Sequence, residues 1–146
     1  MNKPFTIFLG HVQFENKGDE LMLRAVVSHL RSRFPGVKLA AYWNSGKYEQ
    51  RAALGLHQML WEPSLKRVYS SLGYLVIRRY RQSFGILVEH DLDAVIDFSG
   101  YAYGDPWDAR NICIAAKVVE RRRRKGIPTV FLPQAFGPFS DSRRRD

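Results

Sequence analysis

Five short apolar runs alternate with helical patterns along this chain, and that alternation restricts its fold more than any other feature. The runs are Phe5–Leu9, Val37–Trp43, His57–Trp61, Ala94–Phe98 and Thr129–Leu132. Between the first two, Met22, Val26, Leu30 and Phe34 recur at helical spacing, opposite Glu20, Arg24, Ser28 and Arg31. This predicts an amphipathic helix from about Asp19 to Arg33 that Pro35-Gly36 stops. A short helix is expected near Tyr48–Leu54 and a long helical region from Pro63 to about Arg81. A further helix over Ala109–Arg124 is expected to bury Ile112, Ala116 and Val119. Strands alternating with helices imply βαβ units, a parallel sheet and right-handed crossovers. The expected fold is α/β: one Rossmann-like domain over residues 1–140, about five strands in the order 3-2-1-4-5, helices on both faces, and a polar tail over 141–146.

In that order the first and fourth strands are neighbours where the winding reverses, and ligands of open α/β sheets bind at the carboxyl ends of strands there. Three loops should face this crevice. The first runs from Leu9 into Asn16-Lys-Gly-Asp-Glu20, where a helix opens with a glycine and two acids. Free N–H groups at a helix start suit an anion, but two acids beside it would repel a phosphate. The acids suit sugar hydroxyls or a proton instead, although Asn16 and Asp19 also have helix-cap spacing. The second loop reads Asp97-Phe-Ser-Gly-Tyr-Ala-Tyr-Gly-Asp-Pro-Trp-Asp108, with two glycines and three aromatic rings suited to stacking on sugars. Its plainer use is a packed loop in which Asp105 or Asp108 caps the next helix. The third, Pro133-Gln-Ala-Phe-Gly-Pro-Phe139, offers Gln134 and the Gly137 backbone, or simply a Gly-Pro turn.

Other chemistries have little support. Neither the G-x-G-x-x-G nor the G-x-x-x-x-G-K-[ST] phosphate loop is present. The four histidines lack metal-ligand spacing to one another, and of them His11, in the first loop, is kept as a site residue. No metal is expected. The single cysteine, Cys113, excludes an internal disulfide and is expected in the core. No apolar stretch approaches the ~20 residues that span a bilayer, and the polar start is unlike a signal peptide, so a cytoplasmic chain is expected. The net charge of +9 draws on two arginine runs, Arg121–Lys125 and Arg143–Arg145, and on a basic stretch from Lys66 to Arg81. A helix end rich in cations is the ordinary reading of Arg121–Lys125. With no aromatics interleaved there, nucleic acid is disfavoured. The Lys66–Arg81 stretch, with Lys66, Arg67, Arg78, Arg79 and Arg81 around an apolar stripe, fits a peripheral contact with an anionic membrane at its inner face.

Three blocks in order resemble the polysaccharide pyruvyl transferase family: Asn16-x-Gly-Asp-Glu20 with a Leu-Met-Leu helix start; Asp93-Ala-Val-Ile-Asp-x-Ser-Gly100 with Tyr-Gly-Asp105; and Leu132-Pro-Gln-Ala-Phe-Gly-Pro-Phe139. The resemblance spans Phe5 to about Asp141. Where the family commonly has a glycine triplet after the fourth strand, this chain reads Ser99-Gly100-Tyr101, which leaves the acceptor open.

The resemblance implies half of a two-domain architecture like that of B-type glycosyltransferases. It also implies transfer of a pyruvyl group from phosphoenolpyruvate to two hydroxyls of a free or lipid-linked saccharide, with no other cofactor. Asp19 is then the expected proton-handling or hydroxyl-binding acid. His11, Asn16, Lys17, Gly18, Glu20, Ser99, Gly100, Tyr101, Asp105, Gln134 and Gly137 are the expected substrate contacts. With the family's second domain outside this sequence, the chain is expected to be an inactive N-terminal fragment. The alternatives are half of a glycosyltransferase using a nucleotide sugar, or a non-catalytic fragment on an anionic surface.

Overall fold

Strand β1 (Thr6–Gly10) is buried along its whole length and forms the middle of the sheet. The structure is a computed structural model that describes residues 4–60, 79–100, 109–133, 138 and 140. Helix α1 (Lys17–Arg33), β2 (Lys38–Tyr42), α2 (Tyr48–Ala53), β3 (His57–Met59), β4 (Ile86–Leu87), β5 (Ala94–Asp97), α3 (Ala109–Arg124) and β6 (Thr129–Phe131) follow in order. Single 3-10 turns at Arg81–Phe84 and Glu89–Asp91 bracket β4. All five strand pairings are parallel, and the sheet runs β4-β3-β2-β1-β5-β6. The five expected strands therefore stand in the expected order, and β4 adds a sixth at the edge beside β3. Two residues are too short to show an alternation, which is why the sequence pattern passes over β4.

Alternation along β1 sends side chains to two cores. Ile7 and Leu9 join Leu39 and Ala41 of β2 under Leu23, Val27 and Leu30 of α1. Phe8 points the other way, with Ala40, Met59, Leu87 and Val95, toward the face that α3 covers. Phe8 also meets Tyr42 edge-on, their ring centroids 4.7 Å apart. A strand buried on both faces reads as a continuous apolar run, as Thr6-Ile-Phe-Leu does.

Three expected burial patterns shift. The centre of the α1 stripe is Leu23–Val27–Leu30, while Met22 and Val26 pack at its flank. Phe34 follows the last helical residue, sits 43% exposed, and lies against Phe5 at 6.0 Å between centroids. On α3, Ala116 and Cys113 are exposed, so the cysteine is not a core residue. Val119 keeps its expected place on the inner side of α3, beside Ala115, Val118 and Arg122, and Ile112 is half-buried. The expected helical region from Pro63 lies outside the described residues, apart from its end. There Arg81 is buried and forms a two-pronged ion pair with Asp91, its Nη2 2.9 Å from Oδ1, while the Val88 N–H donates to the same carboxylate. Arg81 therefore belongs to the interior and not to a lipid-facing surface.

Candidate functional site

The carboxyl ends of β1 and β5 lie side by side, with Gly10 in register with Asp97 and the Phe98 N–H donating to the Gly10 carbonyl at 2.9 Å. The residue that follows β1, His11, takes a left-handed backbone, φ 57°, which residues other than glycine seldom adopt. That turn brings its ring over the end of β5. Nδ1 sits 3.2 Å from both carboxylate oxygens of Asp97. Asp97 is buried, and its Oδ1 also accepts from the Ser99 N–H at 2.8 Å.

The two charges adjust to each other. The hydrogen bond to Asp97 raises the His11 pKa above its usual value, against burial and the positive charge of Arg122. Burial pushes the Asp97 carboxyl up, but hydrogen bonds from His11 and Ser99 outweigh it and hold the group below the usual aspartate value. An ionised carboxylate only accepts, so Nδ1 must donate to it. The carboxylate thus fixes the imidazole's tautomer and leaves Nε2 as the working nitrogen, the arrangement of a general base oriented by an acid.

Behind this pair a cavity of about 300 Å³ runs between the sheet and α3. Phe8, Tyr42, Val95, Ile114, Val118 and Val119 wall it, with His11 and Asp97 at one end and Arg122 lining it as well. Arg122 is 6% exposed, its Nε has no hydrogen-bond partner, and its guanidinium lies 5.7 Å from the Phe8 ring centroid.

The Asn16–Glu20 segment forms a helix start that stands apart from this cavity, since none of its residues lines it. Asn16 caps α1, its Oδ1 accepting from the Gly18 N–H at 2.9 Å. Glu20 is held by Arg24 at 2.7 Å and by Lys17 at 3.5 Å, and chiefly the Arg24 bond keeps its carboxyl below the usual range. Asp19 is half-buried in the same turn and makes no hydrogen bond or ion pair with a described residue. Ser99 binds Asp97 through its backbone, and Gly100 turns the chain at φ 63°. Tyr101, Asp105, Gln134 and Gly137 lie outside the described residues. Asp97 and Arg122 were absent from the expected site. Asp97 could have been found as an acid that ends a Val-Ile run on the carboxyl edge of the sheet; Arg122 is masked by its arginine neighbours.

Those neighbours are ion-paired within the fold, four cations sharing two carboxylates. Glu89 accepts from Arg121 at 2.6 Å and from Lys125 at 3.0 Å, and Glu120 accepts from Arg123 at 2.7 Å and from Arg124 at 2.9 Å. The two arginines hold Glu120 down to about 2. Among the described residues no helix is long and apolar enough to cross a membrane, and no three acids, histidines or cysteines cluster as a metal site would need.

No curated protein and no solved structure matches the chain. The sequence model of one family, Polysaccharide pyruvyl transferase, matches residues 16–146, from the cap of α1 through Asp97 and Arg122, with His11 just before the matched stretch. With most of its length accounted for in this way, the chain belongs to the polysaccharide pyruvyl transferase family.

Proposed function

We propose that the crevice at the ends of β1 and β5 takes part in pyruvyl transfer from phosphoenolpyruvate to two hydroxyls of a saccharide. The observation that carries this reading is the His11–Asp97 pair, an oriented imidazole at the switch point of a sheet in a chain of this family. In the net reaction the donor's methylene carbon gains a proton and becomes a methyl group. Two acceptor oxygens bond to the central carbon, and the bond from that carbon to the phosphate oxygen breaks. Of the two hydroxyl protons released, one balances the methyl group and the other leaves with phosphate. Neutral His11 accepts a hydroxyl proton on Nε2, Asp97 stabilises the resulting imidazolium, and the imidazolium can return a proton to the enol carbon. Asp19 and the Asn16–Gly18 turn are assigned to the acceptor side, where half-buried acid and open backbone suit sugar hydroxyls.

The test is to follow phosphate release and ketal formation with phosphoenolpyruvate and candidate saccharides, in parallel with nucleotide sugars. Release that requires both phosphoenolpyruvate and a saccharide diol supports the reading. Turnover that depends only on a nucleotide sugar assigns the chain to the glycosyltransferase alternative instead.

A further inference from the structure

Arg122 is the one charged group on the cavity wall that forms no ion pair or hydrogen bond with a carboxylate among the described residues; Glu89 acts on it only through its charge, at longer range. Its neighbours Arg121 and Lys125 share Glu89, and Arg123 and Arg124 share Glu120, while Arg122 turns inward beneath the sheet. It is 6% exposed, and its Nε is fully buried without a hydrogen bond. The Phe8 ring at 5.7 Å gives a cation–π contact, which offsets only part of the cost of removing a guanidinium from water. A fold that keeps such a charge without a direct ion pair beside an open cavity of about 300 Å³ has room for a bound anion to arrive from outside.

We propose that Arg122 seats the carboxylate of a small organic acid that enters this cavity from the His11 end, and that this acid is the three-carbon pyruvyl donor unit. The geometry favours a carboxylate. A planar guanidinium matches its two oxygens as a fork, and one cation balances one negative charge. The walls, Phe8, Val95 and Val119 among them, suit a short carbon skeleton better than a bare inorganic ion. His11 and Asp97 line the same cavity, so an acid seated there shares it with the proton-handling pair. The identity of the acid rests on the pyruvyl-transfer reading; the anion seat itself rests on Arg122 and the cavity.

The experiment is calorimetric titration of the chain with pyruvate and, separately, with inorganic phosphate, in the wild type, Arg122→Met and Arg122→Lys. Saturable pyruvate binding is expected in the wild type. Losing a charged hydrogen-bonding partner should weaken it by about 10- to 100-fold in Arg122→Met. Arg122→Lys, which keeps the charge and loses the fork, should fall between. The melting temperature of Arg122→Met should stay close to that of the wild type, because a buried charge without a direct ion pair is removed along with its cation–π contact. Should Arg122→Met fail to fold, Arg122→Lys alone decides: weaker pyruvate binding at an unchanged melting temperature supports the seat, and equal binding overturns it. Absence of pyruvate binding, binding of phosphate only, or unchanged pyruvate binding in a folded Arg122→Met would each overturn the proposal. Pyruvate binding requires neither acceptor nor turnover, so it separates the two readings. Unaltered transfer in Arg122→Met removes the seat and leaves pyruvyl transfer standing, whereas Arg122-dependent binding without transfer to any diol does the reverse.

Discussion

At the scale of residues, His11 and Asp97 make the fold sensitive to pH in a defined window. The His11 pKa is raised above 6.5 in the folded chain, so its contribution is fully present below about that value and fades as pH rises through the folded pKa. Asp97 is lowered from 3.8, so its share is present above that value and disappears as pH falls through its folded pKa. The pair therefore stabilises most between these limits. His11→Asn, which keeps a side chain tolerant of the left-handed backbone, should flatten the loss of stability as pH rises above about 6.5. Urea unfolding of both proteins across that range checks this, and an identical pH dependence would show that the pair is uncoupled from folding. The Arg81–Asp91 pair is more deeply buried, with the two residues 6% and 7% exposed. Asp91→Ala leaves a guanidinium inside without a counter-charge and should cost about 3–5 kcal/mol by urea unfolding. The surface pair Glu20–Arg24, broken in the same way, should change stability little, because solvent screens it.

The elements show what a pattern of apolar residues can and cannot decide. Helix α1 was expected because apolar residues recur every three to four positions, but Leu21-Met22-Leu23 offers three adjacent choices for the centre of the stripe. The sheet selects Leu23, which is fully buried, and leaves Leu21 70% exposed. Leu23→Ala should therefore destabilise by about 2–5 kcal/mol, and Leu21→Ala by only a few tenths. A large effect at Leu21 would mean that something further covers that side of the helix. Helix α3 ends as its Gly126 suggests: at φ 73° this residue lets the Ile127 N–H reach the Arg122 carbonyl at 2.9 Å and its own N–H reach that of Arg123 at 3.0 Å. A Cβ added at Gly126 meets nothing within 4 Å, so Gly126→Ala should cost only the backbone term, about 1 kcal/mol. That turn also fixes the end of α3 from which Arg122 projects, so the variant should lower pyruvate binding more than its stability loss alone explains.

For the whole molecule, strand order was legible because five separated apolar runs with helical spacers allow few right-handed parallel arrangements. The candidate site was legible in part: the switch point pointed to the crevice between β1 and β5, and His11 was noted for lying in the loop beside it. Asp97 was hidden at the end of an apolar strand, and Arg122 within a run of arginines that reads as a solvated helix end. Only the packing of β1 against β5, and of α3 over Phe8, brings these three residues to one cavity. Asn16 and Glu20, the loudest signals in the sequence, prove to be engaged with the start of α1 itself.

The central claim is that an imidazole held by Asp97 handles protons in pyruvyl transfer. The most direct measurement is the rate of phosphoenolpyruvate-dependent ketal formation on a saccharide acceptor, compared between the wild type and His11→Asn in the full product of the reading frame. His11→Asn should lose about 100-fold or more in kcat, with acceptor KM little changed. A His11→Asn protein that transfers pyruvyl groups at the wild-type rate would contradict it.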